Sequence, residues 1–107
     1  MEWIKIFSSQ EEVQSKLREN APYRIEVLGK VICVVLRQNV LYAFENKCSH
    51  NGEALNKGSI NYLGEIVCPW HGYRFNIKTG RECGERCRDL ETFPVKEKEN
   101  VFWIGLS

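Results

Sequence analysis

The sequence predicts an all-β domain carrying one short helix, and three observations support that class. Short runs of alternating or wholly apolar residues recur along the chain, separated by pairs such as Gly29-Lys30, Gln38-Asn39 and Leu63-Gly64 that suit hairpin turns. Only the stretch 9–19 spaces its apolar residues as a helix would. The length, 107 residues, allows one small domain whose modest core a bound cofactor would help to stabilise.

The elements follow in order. Trp3 to Phe7 alternates as a first strand, with Trp3, Lys5 and Phe7 on one face and Ile4 and Ile6 on the other. Ser9-Gln10-Glu11-Glu12 has the form of a capping box, and Val13 and Leu17 share a face, so a helix is expected over 9–19, ended by Asn20 and Pro22. Its Glu/Lys/Arg face is read as solvated and structural. Tyr23 to Leu28 turns at Gly29-Lys30 into Val31 to Arg37, which turns at Gln38-Asn39 into Val40 to Glu45. Val31 to Leu36 is apolar on both faces, as in a strand covered on both sides, and Cys33 within it reads as a buried hydrophobe. Ser59 to Tyr62 and Glu65 to Cys68 flank Leu63-Gly64, and Tyr73 to Ile77 runs to a turn at Lys78-Thr79-Gly80. A last pair of strands surrounds Phe93-Pro94-Val95. With no internal repeat, low-complexity run or linker, residues 1–107 are expected to form a single domain.

Charge and composition exclude several classes. Fifteen basic against fourteen acidic residues leave no excess for nucleic-acid binding. Met1 to Phe7 carries Glu2 and Lys5 and no long apolar stretch follows, so neither a signal peptide nor a membrane anchor is expected. Five cysteines, an odd number, argue against a secreted disulfide framework. These features point to a soluble cytoplasmic protein, expected to be a monomer.

The chemistry is concentrated in two places. The chain's only two histidines follow cysteines, in Cys48-Ser49-His50 and, after 17 intervening residues, Cys68-Pro69-Trp70-His71. Two thiolates and two imidazoles suit zinc, or iron with sulfide. Zinc fingers usually pair Cys with Cys and His with His, whereas each knuckle here mixes the two. A [2Fe-2S] cluster with Cys on one iron and His on the other calls for two such mixed loops facing each other.

Here the sequence resembles the Rieske family. Cys48-Ser49-His50-Asn51-Gly52 is similar to its first cluster loop and Cys68-Pro69-Trp70-His71-Gly72 to its second, the latter being more specific through Pro69 and Gly72. The likeness runs from about Tyr23 to the end and includes Arg74-Phe75-Asn76 and the Thr79-Gly80 turn. It implies stacked antiparallel sheets with a cluster-binding subdomain at about 46–80, formed by two loops. It also implies one [2Fe-2S] cluster, with Cys48 and Cys68 on the inner iron and His50 and His71 on the outer iron near solvent.

Departures from the family pattern suggest the subtype. High-potential members carry an extra Cys in each loop, forming a bridge; Glu53 and Trp70 stand there instead. Those members also place a Ser after the His-Gly pair and a Tyr two residues on, whose hydroxyls donate to sulfur and raise the potential. This chain has Tyr73 and Phe75 at those positions, so a potential near the lower end of the range is expected, roughly −150 mV.

Cys83 and Cys87 lie where the family often has a proline-containing loop over the cluster, yet no Pro occurs between Pro69 and Pro94. Three readings stand for them: ordinary thiols, a local disulfide, or a regulatory or second metal pair. For the whole chain the resemblance implies a one-electron carrier between a reductase and an acceptor such as an oxygenase. An oxygenase in its own right would need a further two-histidine, one-carboxylate iron site, and both histidines are already committed. The alternative from another class is a zinc-stabilised Cys2His2 interaction module without redox activity.

Overall fold

The computed structural model describes residues 1–70 and 72–107. In chain order its elements are β1 (Glu2–Phe7), α1 (Gln10–Lys16), β2 (Tyr23–Val27), β3 (Lys30–Arg37), β4 (Val40–Glu45), a 3-10 turn (Leu55–Lys57), β5 (Ser59–Ile60), β6 (Glu65–Val67), β7 (Arg74–Asn76), β8 (Thr92–Phe93), β9 (Val95–Lys98) and β10 (Val101–Leu106). Three antiparallel sheets result among the described residues, ordered β1-β10-β9, β2-β3-β4-β8 and β5-β6-β7.

The apolar run Val31–Leu36 within β3 explains how the sheets stack. Its even-numbered residues Ile32, Val34 and Leu36 enter one core, with Val13 and Leu17 of the helix segment and Phe102, Ile104 and Leu106 of β10. Its odd-numbered residues Cys33 and Val35 enter a second core, with Phe44, Cys48, Leu55, Ile66, Cys68 and Phe75. The period of two along a strand therefore divides one apolar run between two cores, as a strand covered on both faces requires. Burial pushes the Cys33 thiol up to about 12, which marks it as a core residue and an inert thiol.

Several sequence expectations shift by a residue or more. Ser9 does cap α1, its Oγ accepting from the Glu12 N–H at 3.0 Å, while the Glu12 carboxylate accepts from the Ser8 N–H at 2.6 Å. The helix stops at Lys16, short of Glu19: Leu17 is extended (φ −109°, ψ 141°), and Glu19 and Asn20 are drawn into pairing with Leu36. Tertiary pairing here outweighs helix propensity. In β1 a bulge between Lys5 and Phe7 breaks the alternation and puts Phe7 in the core with Ile4 and Ile6. The first hairpin turns at Leu28-Gly29, both at positive φ (49° and 80°), one residue before the expected pair. Gln38-Asn39 (52° and 64°) turns as expected, and both pairs have the signs that two-residue hairpin loops favour. The strands expected at Ser59–Tyr62, Glu65–Cys68 and Tyr73–Ile77 are shorter than expected, because their ends belong to turns and to the two cysteine loops.

The segment 81–89 forms a loop closed at its base by Gly80 and Leu90. The Leu90 N–H donates to the Gly80 carbonyl at 2.8 Å, and a Cβ on Gly80, which sits at φ +78°, would lie 2.2 Å from the Leu90 carbonyl oxygen. Gly80→Ala is therefore expected to lose about 1–3 kcal/mol of stability, from the left-handed backbone plus the displaced Leu90, as measured by urea unfolding.

Candidate metal centre

Two loops of matching construction hold the cysteines. In the first, between β4 and the 3-10 turn, the Cys48 N–H donates to the carbonyl of Glu53 at 2.8 Å. In the second, between β6 and β7, the Cys68 N–H donates to the carbonyl of Tyr73 at 2.7 Å. Each bond spans five residues, and each loop has its glycine four residues after the cysteine at positive φ, Gly52 at 78° and Gly72 at 65°. Glycine accepts that backbone at no steric cost, which lets each loop reverse tightly after its cysteine. Asn46 and Asn56 brace the first loop through a reciprocal pair of 2.7 Å hydrogen bonds.

The loops bring the two sulfurs together. Cys48 and Cys68 are each 1% exposed and belong to the same core. Burial pushes the Cys48 thiol up; the N–H groups of Asn51 and His50, which donate to its sulfur, pull the other way, and the neighbouring Cys68 thiol adds to the rise. Asn51 reaches across as well, its Oδ1 3.8 Å from Cys68 Sγ. A metal would replace both protons, and the N–H donors already aimed at Cys48 would then stabilise its thiolate.

His50 stands at the exposed edge of this pair, stacked on Tyr73 with ring centroids 3.9 Å apart and an interplanar angle of 11°. His71, expected as a ligand, lies outside the described residues. Tyr73 thus presents a ring face to His50 where the high-potential pattern would present a small hydroxyl. Phe75, 0% exposed, packs in the core of Cys48 and Cys68 and offers them no hydroxyl. Glu53 is half-buried and Trp70 exposed at the places of the absent bridge.

The loop 81–89 covers the side of the centre. Ser49 Oγ donates to the Arg88 carbonyl at 2.7 Å and lies 3.3 Å from Cys87 Sγ. Arg88 holds Glu45 through both terminal guanidinium nitrogens. Cys83 and Cys87 are both free thiols, the former exposed. Sequence reasoning singled out these thiols and missed what organises the loop. Glu82, 0% exposed, accepts from the Arg86 Nε and Nη2 groups and from the N–H groups of Gly84 and Arg86, at 2.7–3.2 Å. The Arg86 guanidinium in turn lies 3.8 Å from the centroid of the Tyr73 ring. The only sequence signal was the four-residue Glu/Arg spacing, which ordinarily marks a helix surface.

The Arg86 guanidinium and the two backbone N–H groups hold the Glu82 carboxyl down at about 2, against a smaller rise from burial. A carboxylate with a depressed pKa stabilises the fold above its unfolded value, near 4.5, and that contribution is lost as pH falls toward 2. Protection of the Gly84 and Arg86 amides, taken relative to their intrinsic exchange rates, is accordingly expected to fall through this window before the strands of the β2-β3-β4 sheet open; unchanged protection at pH 2.5 would contradict it.

Fold and geometry together define a small β-protein that sets two buried cysteines side by side on two matched loops. A family model for the Rieske [2Fe-2S] domain matches residues 3–94, and the chain belongs to that family. The ferredoxin component of the naphthalene 1,2-dioxygenase system of Pseudomonas aeruginosa is 32% identical over 84 residues, 78% of this chain and 80% of that one. Apoptosis-inducing factor 3 of Mus musculus and Homo sapiens is 39% identical over 89 residues, 82% of this chain but only 13% of those relatives, so the chain spans a small fraction of their length. The ferredoxin of carbazole 1,9a-dioxygenase from Nocardioides aromaticivorans IC177 shares the fold, with a TM-score of 0.84 over 100% of both chains and 23% identity.

Family membership implies one Rieske-type [2Fe-2S] cluster and sets aside the zinc alternative. The two adjacent buried sulfurs, with N–H donors aimed at one of them, fit the thiolate side of that group; among the described residues no three Cys, His, Asp or Glu side chains converge on one point, and His50 is stacked on Tyr73 instead. Among the described residues no helix is long and apolar enough to cross a membrane.

Proposed function

We propose that this chain is a low-potential Rieske-type ferredoxin, an electron carrier and not a catalyst. The observation that carries this reading is the pair of matched loops that sets Cys48 and Cys68 together inside the core and His50 at its exposed edge. Cys48 and Cys68 are assigned to the inner iron, His50 and His71 to the outer one. The bound cluster supplies reversible one-electron chemistry. The chain's part is to bury the sulfur side, direct the N–H groups of His50 and Asn51 at Cys48, and leave the imidazole side open to partners. Asn51, Trp70 and Tyr73 border that side and are proposed as docking contacts.

The partners proposed are a reductase as donor and a terminal oxygenase as acceptor, by analogy with two relatives whose names place them in dioxygenase systems. The chain is proposed to act as a monomer, with residues 1–107 as one domain and 46–80 as its cluster-binding part. The three cysteines outside the proposed ligand set, Cys33, Cys83 and Cys87, are free thiols, which suits the reducing cytoplasm. Redox titration tests the proposal: a single one-electron wave at roughly −150 mV is expected, because Phe75 has no hydroxyl to offer the sulfurs and the bulkier Tyr73 stands where the high-potential pattern has a serine. A midpoint well above zero would contradict the low-potential assignment, and no wave at all would contradict electron carriage.

A further inference from the structure

We infer that Arg86, which lies outside both ligand motifs, sets the redox balance of the centre through Tyr73. The inference rests on the reading of His50 as a cluster ligand. The His50 imidazole stacks on the Tyr73 ring, with centroids 3.9 Å apart, and the central carbon of the Arg86 guanidinium lies over the same ring, 3.8 Å from its centroid.

Arg86 is half-exposed, and an arginine so placed would ordinarily sample many rotamers in water. Glu82 prevents this. Its fully covered carboxylate takes two hydrogen bonds from the guanidinium and one from the Arg86 backbone N–H, so both ends of the side chain are fixed. The Tyr73 face is a favourable seat for the cation. The Glu82 bridge to Phe75, with the Cys83 N–H bonded to the Arg74 carbonyl at 2.9 Å, ties this clamp to β7, which follows the second ligand loop.

Two consequences follow for the electron that the centre accepts. The clamp presses Tyr73 against His50 and so holds the imidazole plane in one orientation. It also fixes a positive charge over the ring on which that imidazole stacks, which favours the more negative reduced state, since cluster potentials respond to nearby charge. Glu82 carries the opposite charge, and this makes the pair informative. Arg86→Gln leaves the carboxylate alone beside the stack, whereas Glu82→Gln leaves the guanidinium.

Redox titration of the cluster-loaded wild type, Arg86→Gln, Arg86→Lys and Glu82→Gln tests the inference. At a fixed electrode potential the ratio of reduced to oxidised protein is expected to fall about tenfold in Arg86→Gln, a midpoint drop of about 59 mV for one electron. Arg86→Lys is expected to recover most of that ratio, and Glu82→Gln to raise it above wild type. Shifts of the same sign in Arg86→Gln and Glu82→Gln, or none, would overturn the inference, because a packing role alone does not depend on the sign of the charge removed. If Glu82→Gln loses its cluster, the comparison of Arg86→Gln with Arg86→Lys decides, and equal potentials overturn it. Wild-type protein lacking the iron–sulfur EPR signal would overturn the ligand reading and this inference together; a normal wild-type signal with unshifted variants would overturn this inference alone.

Discussion

Replacing Cys68 by alanine is expected to abolish iron and sulfide binding entirely, and Cys48→Ala to do the same. Both sulfurs are 1% exposed and lie side by side, so no water or other side chain can enter to replace a missing thiolate. Each loop is closed by a short backbone bond, Cys48 to Glu53 and Cys68 to Tyr73, and losing the metal removes the cross-link between the two loops. Faster proteolysis within 46–54 and 68–73 is expected to accompany the loss. Cys33→Ala is the control: Cys33 is equally buried and shares the core of Cys48 and Cys68, but its thiol is pushed up to about 12 and it sits in β3, outside both loops. It is expected to keep a full complement of iron. Metal analysis of the three variants reads the result directly, and iron retained in Cys68→Ala would contradict the ligand assignment.

Phe75→Ala is expected to cost about 3–5 kcal/mol, the usual loss for removing a wholly buried aromatic side chain. Phe75 pairs with Ile66 across β6 and β7 and packs in the core that contains Cys48, Cys68, Phe44 and Leu55, so the cavity would open beneath the metal centre itself. In a domain whose whole stability is about 5–15 kcal/mol, that loss alone leaves a marginal fold. Guanidinium unfolding of the loaded protein measures it; a loss under about 1 kcal/mol would mean that the site collapses around the missing ring. The milder Phe75→Tyr tests the other role of this position. A hydroxyl added at the buried ring, within the core of the two sulfurs, is expected to raise the midpoint potential as a donor to sulfur.

The sequence disclosed the centre of this molecule better than its periphery, for physical reasons. A candidate metal site rests on residue types at fixed short spacing, so Cys48-Ser49-His50 and Cys68-Pro69-Trp70-His71 could be singled out before any fold was known, and of these the structure brings Cys48 and Cys68 together. The doubly apolar Val31–Leu36 run likewise announced a strand between two cores, since burial on both faces leaves no polar alternation. The pairing of β1 with β10 joins the two ends of the chain, and no local pattern encodes it. The bulge that turns Phe7 inward and the early end of α1 depend on those distant partners too. Glu82 was invisible for a similar reason. A carboxylate is buried only where a specific cation and several N–H groups meet it, and those partners come together only in the closed loop 81–89.

The central claim is that these two loops hold a Rieske cluster, and one measurement addresses it most directly: iron, sulfide and zinc analysis with EPR of the dithionite-reduced protein. The account predicts two irons and two acid-labile sulfides per chain and a reduced-state signal of low average g value, as mixed thiolate and imidazole ligation gives. A colourless protein with one zinc and no sulfide, or an iron–sulfur signal of the all-thiolate type, would contradict it.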